Sequence, residues 1–357
     1  MERIFSEKRG SSLKIILLFL AMNLFVPVFF LIGEKPLWAA DKKELIVYTV
    51  GGSWQQATDE FIGKPFSEKY GVKVTYDIRP NTEQVMALQA SKNNPLADVI
   101  ELSHSRLARA VSMGLLAEQD ETKIPNRKFV PAKFKSDFYT GRGLTPIILV
   151  YNKEKVDDKD CTSWDVLANP KYKNKVAIMK YGWNGEQFLH AVNKVKGGSY
   201  DDPAPGLNFC RKVIENGGRV IDSNDHAMRL FESGEIWIAP FYPGRAEELI
   251  AKRVPLKYKF VPGSLSYLWG FSVVKNAKNM DLAYNWVDMT LDPNVQIKYA
   301  IKFNYAPTNS KVELPPEASK AKYSKEDLDK IIDLDIFEIA KTGDKILERF
   351  NIEVLKR

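Results

Sequence analysis

Residues able to do covalent chemistry are few in this chain and lie far apart. Histidine occurs three times, at His104, His190 and His226, and cysteine twice, at Cys161 and Cys210. A hydrolase of the nucleophile and base type presents its nucleophile on a tight strand-to-helix turn, and no Gly-x-Ser-x-Gly elbow accompanies any of the three histidines. His190 falls in mid-helix pattern and reads as structural. Two cysteines without a neighbouring histidine cluster do not make a zinc site. Gly51-Gly52-Ser53-Trp54 closes an apolar run and opens a helical pattern, which is the layout of a phosphate loop. It lacks the Lys-Ser/Thr pair that contacts phosphate and Mg²⁺. What this stretch offers instead is backbone N–H groups without side-chain bulk and, at Trp54, a flat apolar face. That is chemistry suited to holding a molecule, not to transforming one.

The elements that would position these groups alternate. "ELIVYTV", "VKVTYDI" and "DVIEL" read as strands, and "SWQQATDEFIGKPFSEKY", "TEQVMALQASK" and "SHSRLARAVSMG" as helices, the first with a break near Pro65. This βαβα order predicts a mainly parallel sheet with helices on both faces. After a less regular stretch, 118–143, the strand "PIILVYN" leads into a second alternating block that includes "KVAIMK", "NGEQFLHAVNKV", "SNDHAMRLFESG" and "EIWIAPFY". No internal repeats or low-complexity runs interrupt it. Two α/β blocks in one chain predict two lobes around a cleft.

The N-terminus predicts export. Arg3, Lys8, Arg9 and Lys14 precede the run Ile15 to Ile32, which is apolar apart from Asn23 and Pro27, and the small pair Ala39-Ala40 follows. This is a secretory signal, with cleavage expected near residue 40. The run is also long enough to remain as a membrane anchor. The formal net charge is +7, with acids and bases interspersed and no aromatic RNA-binding signature, so nucleic acid is not an expected partner. Export permits a disulfide. A Cys161–Cys210 bridge and two separate thiols, with Cys210 on the helix "GLNFCRKVI", both remain open.

Several motifs appear in one order along the chain: "LIVYTVGGSWQQATDEFIGKPFSEKYGVKV", "ADVIELSHSRLARAVSMGLL", "TSWDVLANPKYKNKVAI", "LFESGEIWIAPFYPGRA" and "WGFSVVKNAKNMDLAYNWVDMTLDPNVQIKYAIKFNYAPTN". With these the chain resembles the extracellular solute-binding proteins of ABC importers, above all the spermidine/putrescine-binding branch. The resemblance implies an α/β, two-lobed periplasmic-binding-protein fold of type II, crossed twice at a hinge. Residues 44–146 and 271–357 would form lobe 1, and 147–270 lobe 2. It implies a monomeric periplasmic receptor without cofactor or catalytic activity. Such a receptor closes on a small-molecule ligand and delivers it to an ABC permease and ATPase.

The resemblance also implies the contacts. They are Gly52, Ser53 and Trp54 in the first loop, and Ser103, His104 and Ser105 after the third strand. Trp183, Asn184, Asn224, Tyr242 and Trp269 complete the set. Asn184, with Gln187 in capping-box position, reads equally as a helix cap, and so does the Ser223-Asn224-Asp225 run. Trp54, Trp183, Tyr242 and Trp269 would form an aromatic box suited to an amine or to a flat ring. Polyamine binders of this branch carry a carboxylate at the position of Phe271, and of the acids expected around "YGWNGEQF" only Glu186 is present. Burying unpaired ammonium groups is costly. The expectation is therefore a ligand with one flat or cationic part and one anionic or polar part, for which Arg79, Arg106 and Arg245 are candidate partners. Polyamine remains the alternative. The adjacent tyrosines of the family's ferric-ion receptors are missing.

Overall fold

The computed structural model describes residues 43–356, with the side chains at 81, 82, 104 and 105 outside the description. The predicted secretory signal at 1–40 lies outside the described residues. The strands in chain order are β1 (Glu44–Thr49), β2 (Lys73–Ile78), β3 (Val99–Ser103), the two-residue β4 (Lys135–Ser136) and β5 (Tyr139–Asn152). They continue with β6 (Ala177–Met179), β7 (Arg219–Ile221), β8 (Ile238–Phe241), β9 (Leu256–Lys259) and β10 (Ser264–Val273). The first helical stretch, expected to break near Pro65, runs unbroken from Ser53 to Tyr70. It widens into a π-type turn at Asp59–Gly63 just before the proline. A wider turn relieves the clash between the proline ring and the preceding turn's carbonyl.

The chain forms a two-lobed α/β fold. In the first lobe β1 lies between β2 and β3, all parallel. In the second, β6 pairs parallel with β7, and Val176 makes a parallel bridge to Ile238 of β8. The sheet as a whole is mixed, not mainly parallel, because two strands belong to both lobes. Fourteen residues long and roughly 45 Å at the usual rise per residue, β5 pairs antiparallel with β10 through its first half and with β8 and β9 through its second. β10 in turn runs antiparallel to β3. A chain that leaves one lobe and returns must run in opposite directions on the two passes. Apolar packing changes hands along the same strands: Leu144 belongs to the first lobe's core and Ile147 to the second's, while on β10 the change falls between Tyr267 and Leu268.

The register between β5 and β10 slips at one point, where Trp269 faces Gly143 but Gly270 faces Gly141. The skipped residue is Arg142, the extra residue of a β-bulge, a feature that re-aims a side chain. Gly270 is required there, since a Cβ would fall 2.0 Å from the Thr140 carbonyl oxygen.

The tail departs from the sequence expectation. The helix Ile336–Phe350 seats Ile336 in the first lobe's core but Ile346 and Phe350 in the second's, where Val354 of the turn that follows also packs, and the Tyr181 hydroxyl donates to the Gly343 carbonyl at 3.1 Å. Its apolar stripe therefore lies across both lobes, so 271–357 does not pack wholly with the first. Cys161 and Cys210 are separate buried thiols, each pushed up to about 12 by burial.

Candidate functional site

Six loops meet in one cleft of about 350 Å³, and each follows the C-terminal end of a strand belonging to one of the two parallel sets. Val50 follows β1, Pro80 follows β2, and Ser103 ends β3 with Arg106 one turn into the next helix. From the other lobe come Gly182, Trp183 and Asn184 after β6, Asn224 after β7, and Tyr242 after β8. Tyr267 and Trp269 of β10, with Tyr305, close the floor. Open α/β sheets bind ligands at such edges, and a volume of this size suits a small organic molecule.

Of the residues the sequence singled out, Ser103, Trp183, Asn184, Asn224, Tyr242 and Trp269 line this cleft. Gly52 and Ser53 are exposed and lie outside its lining, although Gly52 takes the left-handed φ of 75° that suits a glycine. The side chains of His104 and Ser105 lie outside the description. Trp54 is buried and sits behind the wall, its ring 5.7 Å from Trp269 and 5.2 Å from Tyr305. An amphipathic first turn with Ala57 and Thr58 buried beside it carries Trp54 inward. Phe271 is likewise fully buried, with its ring 5.9 Å from Trp286, so it does not stand in the cleft where the sequence comparison placed a missing acid.

The cap questions resolve locally. Asn184 is left-handed, with φ of 60°, and its side chain donates to the Tyr242 hydroxyl at 2.7 Å instead of capping the helix Gly185–Val195. Glu186, not Gln187, reaches back, accepting from the Gly182 N–H at 2.9 Å. Ser223 caps the next helix by accepting from the His226 N–H, which leaves the neighbouring Asn224 for the cleft. Its Oδ1 and the Trp269 Nε1 are buried polar atoms without a partner. The Arg142 Nε and the Trp164 and Trp286 Nε1 atoms are also buried without a partner, and what sets Asn224 and Trp269 apart from them is their place in the cleft lining.

The aromatic wall is continuous: Trp183 meets Tyr242 edge-on at 6.5 Å, Tyr242 lies 5.6 Å from Tyr267, and Tyr267 lies 5.4 Å from Trp269. Burial raises the Tyr242 and Tyr267 phenols, and pushes Tyr305 up to about 12, so all three stay neutral and can donate. Among the described lining residues only Arg106 is charged. Its guanidinium donates across the cleft to the Gly182 carbonyl and lies 3.9 Å from Glu186. Arg79 and Arg245, the other candidates, pair with Asp77 and Glu248 outside the lining.

Sequence reasoning missed what lies behind the wall. Arg142 and Glu101 form an ion pair at 2.7 Å, with side chains 2% and 0% exposed. Glu101 also accepts from Trp54 Nε1 at 2.9 Å and from the Thr49 hydroxyl. The guanidinium lies 4.0, 4.7 and 5.3 Å from the rings of Tyr299, Trp54 and Phe271. Burial disfavours its charge, but the Tyr299 hydroxyl and the Glu101 carboxylate hold the Arg142 pKa above the ordinary arginine value. The available signal was Gly141-Arg142-Gly143, a charge between two glycines in a strand that is otherwise mostly apolar. No group of described residues has the composition of a metal site.

The model of the family described as "Bacterial extracellular solute-binding protein" matches residues 62–325. The spermidine/putrescine-binding periplasmic protein of Salmonella typhimurium is 22% identical over 305 residues, covering 82% of this chain and 85% of that protein. The putrescine/cadaverine-binding protein of Pseudomonas aeruginosa is 25% identical over 288 residues, covering 73% and 77% respectively. An ABC transporter protein from Clostridium perfringens superposes with a TM-score of 0.75 at 23% identity, covering 87% of this chain and 99% of that one. With a matched family model over most of its length and a cleft fed by both lobes, the chain belongs to the bacterial extracellular solute-binding proteins.

Proposed function

We propose that this protein is an exported, monomeric receptor that captures a small polar organic solute by hinge closure and presents it to an ABC permease and its ATPase. The observation that carries the reading is the convergence of strand-end loops from both lobes on one cleft, floored by the strands that join them. A ligand touching Ser103 and Arg106 on one side and Trp183, Asn184, Asn224 and Tyr242 on the other makes its full set of contacts only when the lobes are together. It therefore selects the closed form. The hinge is β5 with β10; lobe 1 comprises about 44–146 and 271–322, and lobe 2 about 147–270 with most of the tail.

Binding without turnover fits the side chains. His226 pairs with Asp222 at 2.9 Å on an exposed helix start where the Ser223 hydroxyl is engaged as a cap. His190 is buried against Tyr200. Polyamine is the second reading, favoured by the named ligands of the relatives and by the aromatic wall. Native mass spectrometry of the protein purified from its exported fraction tests the receptor: one small molecule per chain is expected, and adding it back to stripped protein raises the melting temperature. A chain that emerges empty and shows no shift with cell extract metabolites contradicts it.

A further inference from the structure

Two aromatic surroundings could take a cation, the cleft wall and the cluster behind it, and the protein fills the second itself. Arg142 lies among the rings of Trp54, Tyr299 and Phe271, with the Glu101 carboxylate as counter-ion. A carboxylate with three aromatic faces is the environment that an ammonium ligand needs. Here the bulge at Arg142 turns a built-in guanidinium into it, so neither the acid nor the ring faces remain for a solute. What is left facing the cleft has the opposite polarity. Arg106 brings positive charge and five N–H donors, one of them given to the Gly182 carbonyl. Trp269 adds an N–H without a partner, and Asn224 an acceptor without one. No acid is among the described lining residues.

We propose that the solute is a small organic oxyanion, a carboxylate or phosphonate, that carries an N–H or O–H group at its other end. The oxyanion is held by Arg106 and the Trp269 N–H, and the donor by the Asn224 carbonyl oxygen. Apolar atoms between the two ends lie along Tyr242 and Tyr267. Glu186, 3.9 Å from Arg106, does not line the cleft, and the guanidinium is held there by its hydrogen bond to the Gly182 carbonyl. A diamine of matching length would set one ammonium against Arg106, and such like-charge contacts are strongly unfavourable.

This inference rests on the receptor reading, and the test separates the two. Calorimetric titration of the stripped full chain uses 4-aminobutanoate, 2-aminoethylphosphonate, putrescine and spermidine, in parallel with identification of the molecule that co-purifies. The expected result is a co-purifying oxyanion, with at least one of the two oxyanion probes binding more tightly than either polyamine. Arg106→Gln should weaken binding of that probe by about 30-fold or more, with Arg106→Lys recovering part of the loss and neither variant changing the melting temperature of the stripped protein. A co-purifying polycation, tighter binding of putrescine or spermidine, or undiminished oxyanion binding by Arg106→Gln overturns the inference and leaves the receptor standing. A chain that neither carries nor binds any small molecule overturns both.

Discussion

Arg106 and Arg142 stand in the same lobe, each beside a glutamate, Arg142 among aromatic rings and Arg106 in a cleft lined by them, yet their surroundings give them different work. The Arg142 side chain is 2% exposed, 2.7 Å from Glu101 and under three rings, while that of Arg106 is 22% exposed and 3.9 Å from Glu186. A desolvated charge held at 2.7 Å by a buried carboxylate is part of the wall, since exchanging its partner for a ligand would strand Glu101 without compensation. A loosely paired charge at the rim of a cleft can be completed by a ligand at little cost. The difference teaches that proximity of a cation to aromatics does not mark a site; a free face towards the cleft does. The same contrast divides the tryptophans, with Trp54 satisfied by Glu101 and Trp269 left with an unpartnered N–H.

The comparison is most easily broken through stability. Trp54→Ala should destabilise the protein by about 3–5 kcal/mol, as large aromatic truncations in cores do. Glu101→Gln should cost a similar amount, roughly 3–5 kcal/mol, by leaving the Arg142 charge buried without its partner. The double variant Glu101→Leu/Arg142→Met should recover most of that loss. Denaturant unfolding checks all three. If Trp54→Ala left stability intact and abolished binding, Trp54 would belong to the cleft after all.

A pH effect of about 3 kcal/mol should come from His190, whose pKa burial pushes down to about 4 from an ordinary value near 6.5. The group is neutral in the folded protein and takes up its proton more readily once unfolded. Its contribution is therefore fully present above pH ~6.5 and is lost as pH falls towards 4. Melting temperatures between pH 7 and pH 4 should fall less steeply in His190→Gln than in the parent; identical slopes would contradict the assignment.

Smaller effects sharpen the cleft side of the comparison. Trp269→Phe keeps the ring but removes the N–H, and should weaken binding of the co-purified solute by about 1–2 kcal/mol, the usual cost of an orphaned partner. Asn224→Ala should cost about 1 kcal/mol by the same argument. Calorimetry reads both, with unfolding midpoints near the parent's. Equal losses in Gly52→Ala binding would return the first loop to the site.

The alternation of strands and helices made the two lobes legible, because β-branched runs such as "ELIVYT" and "VIELS" separate cleanly from the helical patterns between them. Loops after strands could therefore be expected at cleft edges, but which residues in them to single out, such as Trp183, Asn224 and Tyr242, came from the resemblance to the solute-binding family. Direction within a loop was not legible. Trp54 turns inward because of where the first helical turn begins, a matter of one residue in phase, and Gly52 and Ser53 move out of reach with it. The bulge at Arg142 depends on pairing between strands more than a hundred residues apart in the chain, which no local pattern carries. The tail helix shows an apolar stripe in sequence, but nothing in that stripe says that it spans both cores.

Small-angle scattering of the full chain, stripped of ligand and then saturated with the solute that co-purifies, tests closure most directly. The account predicts a smaller radius of gyration in the saturated sample, reversed when the solute is dialysed away. An identical radius in both states, under conditions where calorimetry shows full occupancy, would contradict closure of two lobes around the cleft.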